Sequence, residues 1–148
     1  MQRPKVEISP LVSDPNWLVG FTEAEGCFLC LVRKNYSHKI GYQVTLSFSL
    51  VQHTRDLVLM QKIKECWGLG IISKTSSCVR LTVTKKSDID TLVSIFSRYA
   101  LLGNKRLDFE DFSKIQEIVS KDLHKTEGGL NEILLIKSKM NSKRIHEN

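Results

Sequence analysis

Apolar and polar positions change period several times along this chain, and each change marks an element. Asp14-Pro15 opens a helix: Asp14 serves as N-cap, and Pro15 stands at N1, where its missing N–H costs nothing. Trp17, Leu18, Val19 and Phe21 carry the helix to Glu25, and Gly26 is a natural C′ residue to stop it. The period then falls to two. Residues 27–34 read as a strand, 35–39 as a turn, and the next strand alternates Val44, Leu46, Phe48 and Leu50 with Gln43, Thr45, Ser47 and Ser49. One face of that strand belongs to a core and the other to solvent or a ligand. Helical spacing returns over 54–67 through Leu57, Met60, Ile63 and Trp67, and Gly68-Leu69-Gly70 ends it.

Two short strands, 71–75 and 78–84, follow with a tight Ser76-Ser77 connection. Ser87-x-x-Asp90 reads as a capping box for a helix carrying Ile89, Leu92, Val93, Ile95, Phe96 and Tyr99. Further helices are expected over 107–120 and 129–140. The order is helix, two strands, helix, two strands, then helices, an α+β arrangement. Residues 1–13 carry two prolines and no sustained period, and read as an arm or linker. The domain proper is expected over 14–144, with a tail at 145–148.

Length and composition narrow the class. A chain of 148 residues fits one domain. No apolar run approaches the ~20 residues needed to span a bilayer. Met1-Gln2-Arg3-Pro4-Lys5 leads into no apolar segment of a secretory signal, so membrane and secreted readings are set aside. Cys27, Cys30, Cys66 and Cys78 lack the paired spacing of a structural zinc site. Residues three apart on a strand point to opposite faces, so Cys27 and Cys30 diverge. Reduced, mostly buried thiols are expected. The four histidines are scattered, and none reads as a metal ligand. Lys and Arg number 22 against 16 Asp and Glu, a net charge of +6 that suits a polyanionic partner without choosing among nucleic acid, membrane surface and mere solubility.

The first helix breaks helix rules in three ways. Gly20 stands in its interior, where glycine costs about 1 kcal/mol against alanine. Gly20 and Ala24 lie four apart on one face, which lets another backbone approach closely. Glu23 and Glu25 sit at the negative end of the helix dipole, where a carboxylate is disfavoured by roughly 0.3–1 kcal/mol, so a compensating cation is expected. A tolerated glycine and a solvated helix end would satisfy the same residues.

The run Leu18-Val19-Gly20-Phe21-Thr22-Glu23-Ala24-Glu25-Gly26 resembles the nine-residue signature of the LAGLIDADG homing endonucleases. Leucine, glycine, the two acids with alanine between them, and the closing glycine fall in register. The element order resembles that family's αββαββα core from about Asn16 to Arg144. Asp108-Phe109-Glu110-Asp111-Phe112 and Thr126-Glu127-Gly128-Gly129-Leu130 resemble the organellar-intron branch. Both acids are Glu where Asp is common.

The resemblance implies a twisted antiparallel four-stranded sheet with helices on one face, and a sequence-specific endonuclease cutting both strands of duplex DNA. Glu25 would hold a divalent metal, Mg²⁺, with Ca²⁺ or Mn²⁺ substituting in vitro; Glu23 would be structural. Gln52 would orient water or metal, and Lys105, expected in a loop between helices, would act beside the scissile phosphate. A single signature implies a homodimer joined through Leu18, Gly20, Phe21 and Ala24, cutting a long pseudo-palindromic site to leave 3′ overhangs. DNA would lie on Leu29, Leu31, Arg33, Gln43, Thr45, Ser47, Ser49, Lys74, Ser76, Arg80 and Thr82, with Asn35, Ser37, His38 and Lys39 reaching flanking bases or phosphates. The implied setting is intracellular and mitochondrial. An intron RNA-splicing maturase and a non-cleaving DNA-binding protein of the same fold remain open as alternatives.

Overall fold

The computed structural model describes residues 14–141; the expected arm, the tail and the last three residues of the expected domain lie outside the described residues. The chain runs α1 (Pro15–Glu25), β1 (Gly26–Lys34), β2 (Tyr42–His53), α2 (Leu57–Trp67), β3 (Ile71–Lys74), β4 (Cys78–Val83), α3 (Lys86–Arg98), α4 (Asn104–Ser120) and α5 (Glu127–Lys137). The four strands form one antiparallel sheet in the order β1-β2-β4-β3.

Alternation along the strands sorts the sheet into two unlike faces. Phe28 and Cys30 of β1, Leu46, Phe48 and Leu50 of β2, and Val79, Leu81 and Val83 of β4 are all buried on one side. They meet Met60 and Ile63 of α2, Ile89, Leu92 and Phe96 of α3, and Phe109, Phe112 and Ile115 of α4 in a single hydrophobic cluster. Phe28 lies at its centre, with ring centroids 4.9 Å from Phe48, 5.2 Å from Phe112, 5.6 Å from Phe109 and 5.8 Å from Phe96. Tilted and edge-on contacts of this kind add about 0.5–1.5 kcal/mol each to the burial of the rings themselves.

The joint between α1 and β1 has no loop. Gly26 both closes the helix and begins the strand, its N–H donating to the Thr22 carbonyl. Its backbone is extended, at φ −76°, and not the left-handed turn that usually asks for glycine at a helix end. Space is the reason instead: a Cβ here would lie 2.7 Å from both Thr22 Cγ2 and the Thr22 carbonyl oxygen. Gly70, by contrast, has φ +86°, and a Cβ there would also press to within 2.9 Å of Leu81.

Helix starts differ from the sequence reading in three places. The Ser87-x-x-Asp90 box does not form: α3 begins at Lys86, with Lys85 as N-cap and no side-chain cap. Its acids have other partners, Asp88 accepting from the Gly70 amide and Asp90 from Gln116 Nε2. α4 begins at Asn104, three residues before the expected Leu107. α5 also starts early, at Glu127, capped by Thr126, whose Oγ1 accepts from the Gly129 amide at 3.0 Å. Asn141 fastens the far end of the described chain. Its amide donates to Asp108 Oδ1 at 2.9 Å and its Nδ2 to the Phe28 carbonyl at 2.8 Å.

The cysteines correct the expectation of mostly buried thiols. Cys30 alone is buried, Cys27 is half-buried, and Cys66 and Cys78 are exposed. Cys66 occupies the solvent side of α2, and Cys78 the first position of β4, before its buried residues begin at Val79. Burial pushes the Cys30 thiol up to about 11, with Lys137 opposing weakly. Alkylation of the native protein followed by peptide mass analysis should label Cys66 and Cys78 first, and Cys30 only after unfolding.

Thr22 is fully buried, and its Oγ1 has no hydrogen-bond partner among the described residues. An unpaired buried hydroxyl costs about 1–3 kcal/mol, and valine has nearly the same shape and helix propensity. Thr22→Val should therefore raise stability by about 1 kcal/mol, read as a higher midpoint in urea at unchanged slope.

Candidate active site and nucleic-acid interface

The C-terminal turn of α1 points its two acids to different fates. Glu23 is half-buried, and its Oε1 accepts hydrogen bonds from the backbone amides of Leu102 and Gly103, the latter at 2.7 Å. These amides lie just before α4, at the positive end of that helix, where a carboxylate is favoured. The compensation expected from a cation is thus supplied for Glu23 by backbone N–H groups. Glu25, two residues on, is exposed, and its carboxylate has no ion pair or hydrogen bond among the described residues.

Lys105 is not in a loop. It is the second residue of α4 and half-buried, close in sequence to the amides that Glu23 holds. Gln52 is the penultimate residue of β2, half-buried, and its register partner is Val79 of the core. It therefore projects to the helix side of the sheet. Leu50, two residues earlier, pairs with Gly26, so Gln52 stands at the end of the sheet where α1 enters.

On α1, Gly20 and Ala24 are exposed, and a Cβ built on Gly20 meets nothing within 4 Å. Phe21 is half-buried and stacks on Trp17 at 5.2 Å. Leu18 corrects the expected interface set: at 6% exposure it packs inside its own domain and offers almost no surface to a partner.

The sheet face opposite the core collects most of the residues expected on it. Cross-strand partners share a face, and the register sets Leu29 against Ser47, Leu31 against Thr45 and Arg33 against Gln43. Ser49 continues the row to Thr82, and Arg80 pairs with Val51. Three corrections follow. Ser47 and Ser49 lie on this face but are only 8% and 4% exposed, sunk between bulkier neighbours, so they form its floor. Lys74 pairs with Val79 and so belongs to the helix side, although it is exposed. Ile71 and Ser73, set against Thr82 and Arg80, hold the outer positions of β3 instead, and Ile71 is 71% exposed. The alternation of β3 carried that signal; a preference for placing lysine outward hid it.

Ser76 lies in the exposed turn between β3 and β4. The connection between β1 and β2 is organised by Asn35. Its Oδ1 accepts from the Ser37 amide at 3.1 Å and from Ser37 Oγ at 2.6 Å, and its Nδ2 donates to Gln43 Oε1 at 3.2 Å. His38 and Lys39 are exposed beyond this brace. Among the described residues no group of three or more His, Cys, Asp or Glu converges as a metal site. At the end of α1, Glu25 presents an exposed carboxylate as an oxygen ligand, which fits a hard cation completed by ligands from elsewhere. No helix among the described residues is long and apolar enough to cross a membrane.

The profile of the LAGLIDADG endonucleases matches residues 18–116. The chain belongs to the LAGLIDADG endonuclease family. The match begins inside α1, includes both acids and Lys105, and runs into α4. Among solved LAGLIDADG structures, the I-LtrWI homing endonuclease bound to target DNA shares 34% identity and superposes with a TM-score of 0.92, covering 98% of this chain and 49% of that one. The homing endonuclease I-TnaI shares 32% identity with a TM-score of 0.84, over 93% of this chain and 90% of that one. A curated relative, the probable intron-encoded endonuclease 3 of Neurospora crassa, is 36% identical over 139 residues. That alignment covers 92% of this chain but 26% of the relative, so the chain spans about a quarter of that protein's length. The LAGLIDADG fold, with its mixed helices and four-stranded antiparallel sheet, is the architecture described above.

Proposed function

We propose that this chain is a sequence-specific, metal-dependent DNA endonuclease that works as a homodimer. The observation that carries this reading is the division of labour at the end of α1. Glu23 is occupied by backbone amides, and Glu25 is left exposed and unpaired at the helix end. Within an endonuclease family, an acid kept free in that place is suited to hold Mg²⁺ beside a phosphate. The chemistry the ion supplies when bound is activation of water and neutralisation of charge on the phosphodiester. Gln52, at the end of the sheet where α1 enters, orients water, and Lys105 supplies positive charge to the leaving oxygen.

The outer sheet face, with Leu29, Leu31, Arg33, Gln43, Thr45, Arg80 and Thr82, reads the major groove. There arginine suits guanine, glutamine suits adenine, and leucine suits the thymine methyl. His38 and Lys39 contact flanking phosphates. One chain brings one such acid at the end of its single signature helix, whereas cutting two strands needs two. Two copies meeting through Gly20, Phe21 and Ala24 would supply both and recognise a long pseudo-palindromic site, leaving 3′ overhangs. We place the protein in an organellar, mitochondrial setting, on its likeness to an intron-encoded endonuclease.

Cleavage of a randomised duplex library in Mg²⁺ tests the reading. Wild type should cut, with binding that weakens as salt rises. Glu25→Gln should bind as wild type but cut on the order of 10³-fold more slowly, a loss of several kcal/mol at 1.36 kcal/mol per tenfold. Selective binding without any nick would leave a non-cleaving DNA-binding protein, and undiminished cutting by Glu25→Gln would remove the metal assignment.

Because the space around Gly20 is empty within one chain, Gly20→Ile should leave the monomer folded while weakening self-association. Sedimentation with and without DNA reads this directly. A monomeric wild type in both conditions would refute the dimer.

A further inference from the structure

We propose that Glu23 is a positioning residue: its carboxylate ties the end of α1 to the start of α4 and thereby sets Lys105 against Glu25. This role rests on the endonuclease reading above. The two amides that Glu23 Oε1 accepts belong to Leu102 and Gly103, 79 and 80 residues away in sequence. Gly103 is the N-cap of α4 and brings no side chain to cap it. Glu23, on a distant element, brings a carboxylate to this helix start.

Local packing does not do the same work. Leu101 is fully buried and holds the loop from one side, but Leu102 is 82% exposed and touches the core little. Between the Leu101 anchor and the first turn of α4, Glu23 holds the Leu102 and Gly103 amides, while the Gly103 carbonyl accepts from the Arg106 amide. Hydrogen bonds to a charged acceptor are each worth about 1.5–3 kcal/mol, more than the roughly 0.3–1 kcal/mol lost by placing Glu23 against the dipole of its own helix. The acid that breaks a helix rule within α1 thus satisfies one at α4.

The tether has short arms on both sides. Glu25 is two residues beyond Glu23, and Lys105 is two residues beyond Gly103, so each arm spans at most about 7 Å of backbone. A shift of the loop relative to α1 is passed almost directly into the spacing of the two groups. Misplacement of a reacting group by about 1 Å can cost 10²-fold in rate. Glu23 acts through Lys105 and does not itself touch the phosphate.

The test uses the full chain and four proteins: wild type, Glu23→Ala, Lys105→Ala and the double variant, with Glu23→Gln as a conservative control. In metal-free protein, amide exchange at Leu102 and Gly103 should quicken about 10- to 100-fold in Glu23→Ala, the loss of one charged hydrogen bond at each amide. Glu23→Gln keeps an acceptor oxygen, and its exchange should fall between the two. Single-turnover cleavage should slow about 10- to 100-fold in Glu23→Ala, while metal-free DNA affinity stays within about threefold.

In the Lys105→Ala background, adding Glu23→Ala should slow cleavage by less than about threefold, because the group being positioned is already gone. Unchanged exchange, additive losses in the double variant, or affinity and thermal midpoint falling along with cleavage would each overturn the positioning role. A wild type that never nicks DNA overturns the endonuclease reading and this role together. A wild type that nicks beside an equally active Glu23→Ala overturns this role alone.

Discussion

Phe28 stands three residues beyond Glu25, and its ring touches rings from β2, α3 and α4. That contact converts the end of α1 from a flexible helix terminus into part of the rigid core. Because Gly26 joins helix to strand without a loop, no slack lies between the acids and the buried ring. The other elements are located by the same cluster. α3 presents Phe96 to it and α4 presents Phe109 and Phe112, so the end of α3 and the first half of α4 inherit their places from it. Even the last described residue reports to this point, through the hydrogen bond that Asn141 Nδ2 donates to the Phe28 carbonyl.

Elements governed by local chemistry could be read from the chain. Alternation in β2 separated Phe48 from Ser47 without any knowledge of partners, because the pleat imposes it. Asp14-Pro15 announced α1, and the structure has Asp14 Oδ1 accepting from the Asn16 amide at 2.9 Å. Gly68 and Gly70 marked the exit from α2 for the reason glycine usually does, a positive φ.

What escaped was decided by residues far apart in sequence. The start of α4 at Asn104 follows two amides that donate to Glu23, a partner some 80 residues away that no local pattern discloses. The Ser87-x-x-Asp90 pattern had the right composition for a cap, but Asp88 and Asp90 are drawn to Gly70 and Gln116. The family resemblance implies an outward Lys74, whereas its face is set by pairing with Val79. Leu18 and the serines of β2 show the same limit from another side. Exposure belongs to the packed neighbourhood and not to the residue type. Within the site, the pair of acids was visible as an anomaly, but which acid was already satisfied required the fold.

The register of the sheet has an evolutionary consequence. Positions that face the helices and positions that face away alternate along the same strands, so Phe28 neighbours Leu29 and Leu81 neighbours Arg80 and Thr82. A substitution at an outward position leaves the buried ring beside it untouched and opens no cavity. Whatever the outer face contacts, its chemistry can drift one residue at a time while the scaffold stays fixed. A lineage that must keep pace with a changing partner would find in this alternation a surface it can rewrite without refolding.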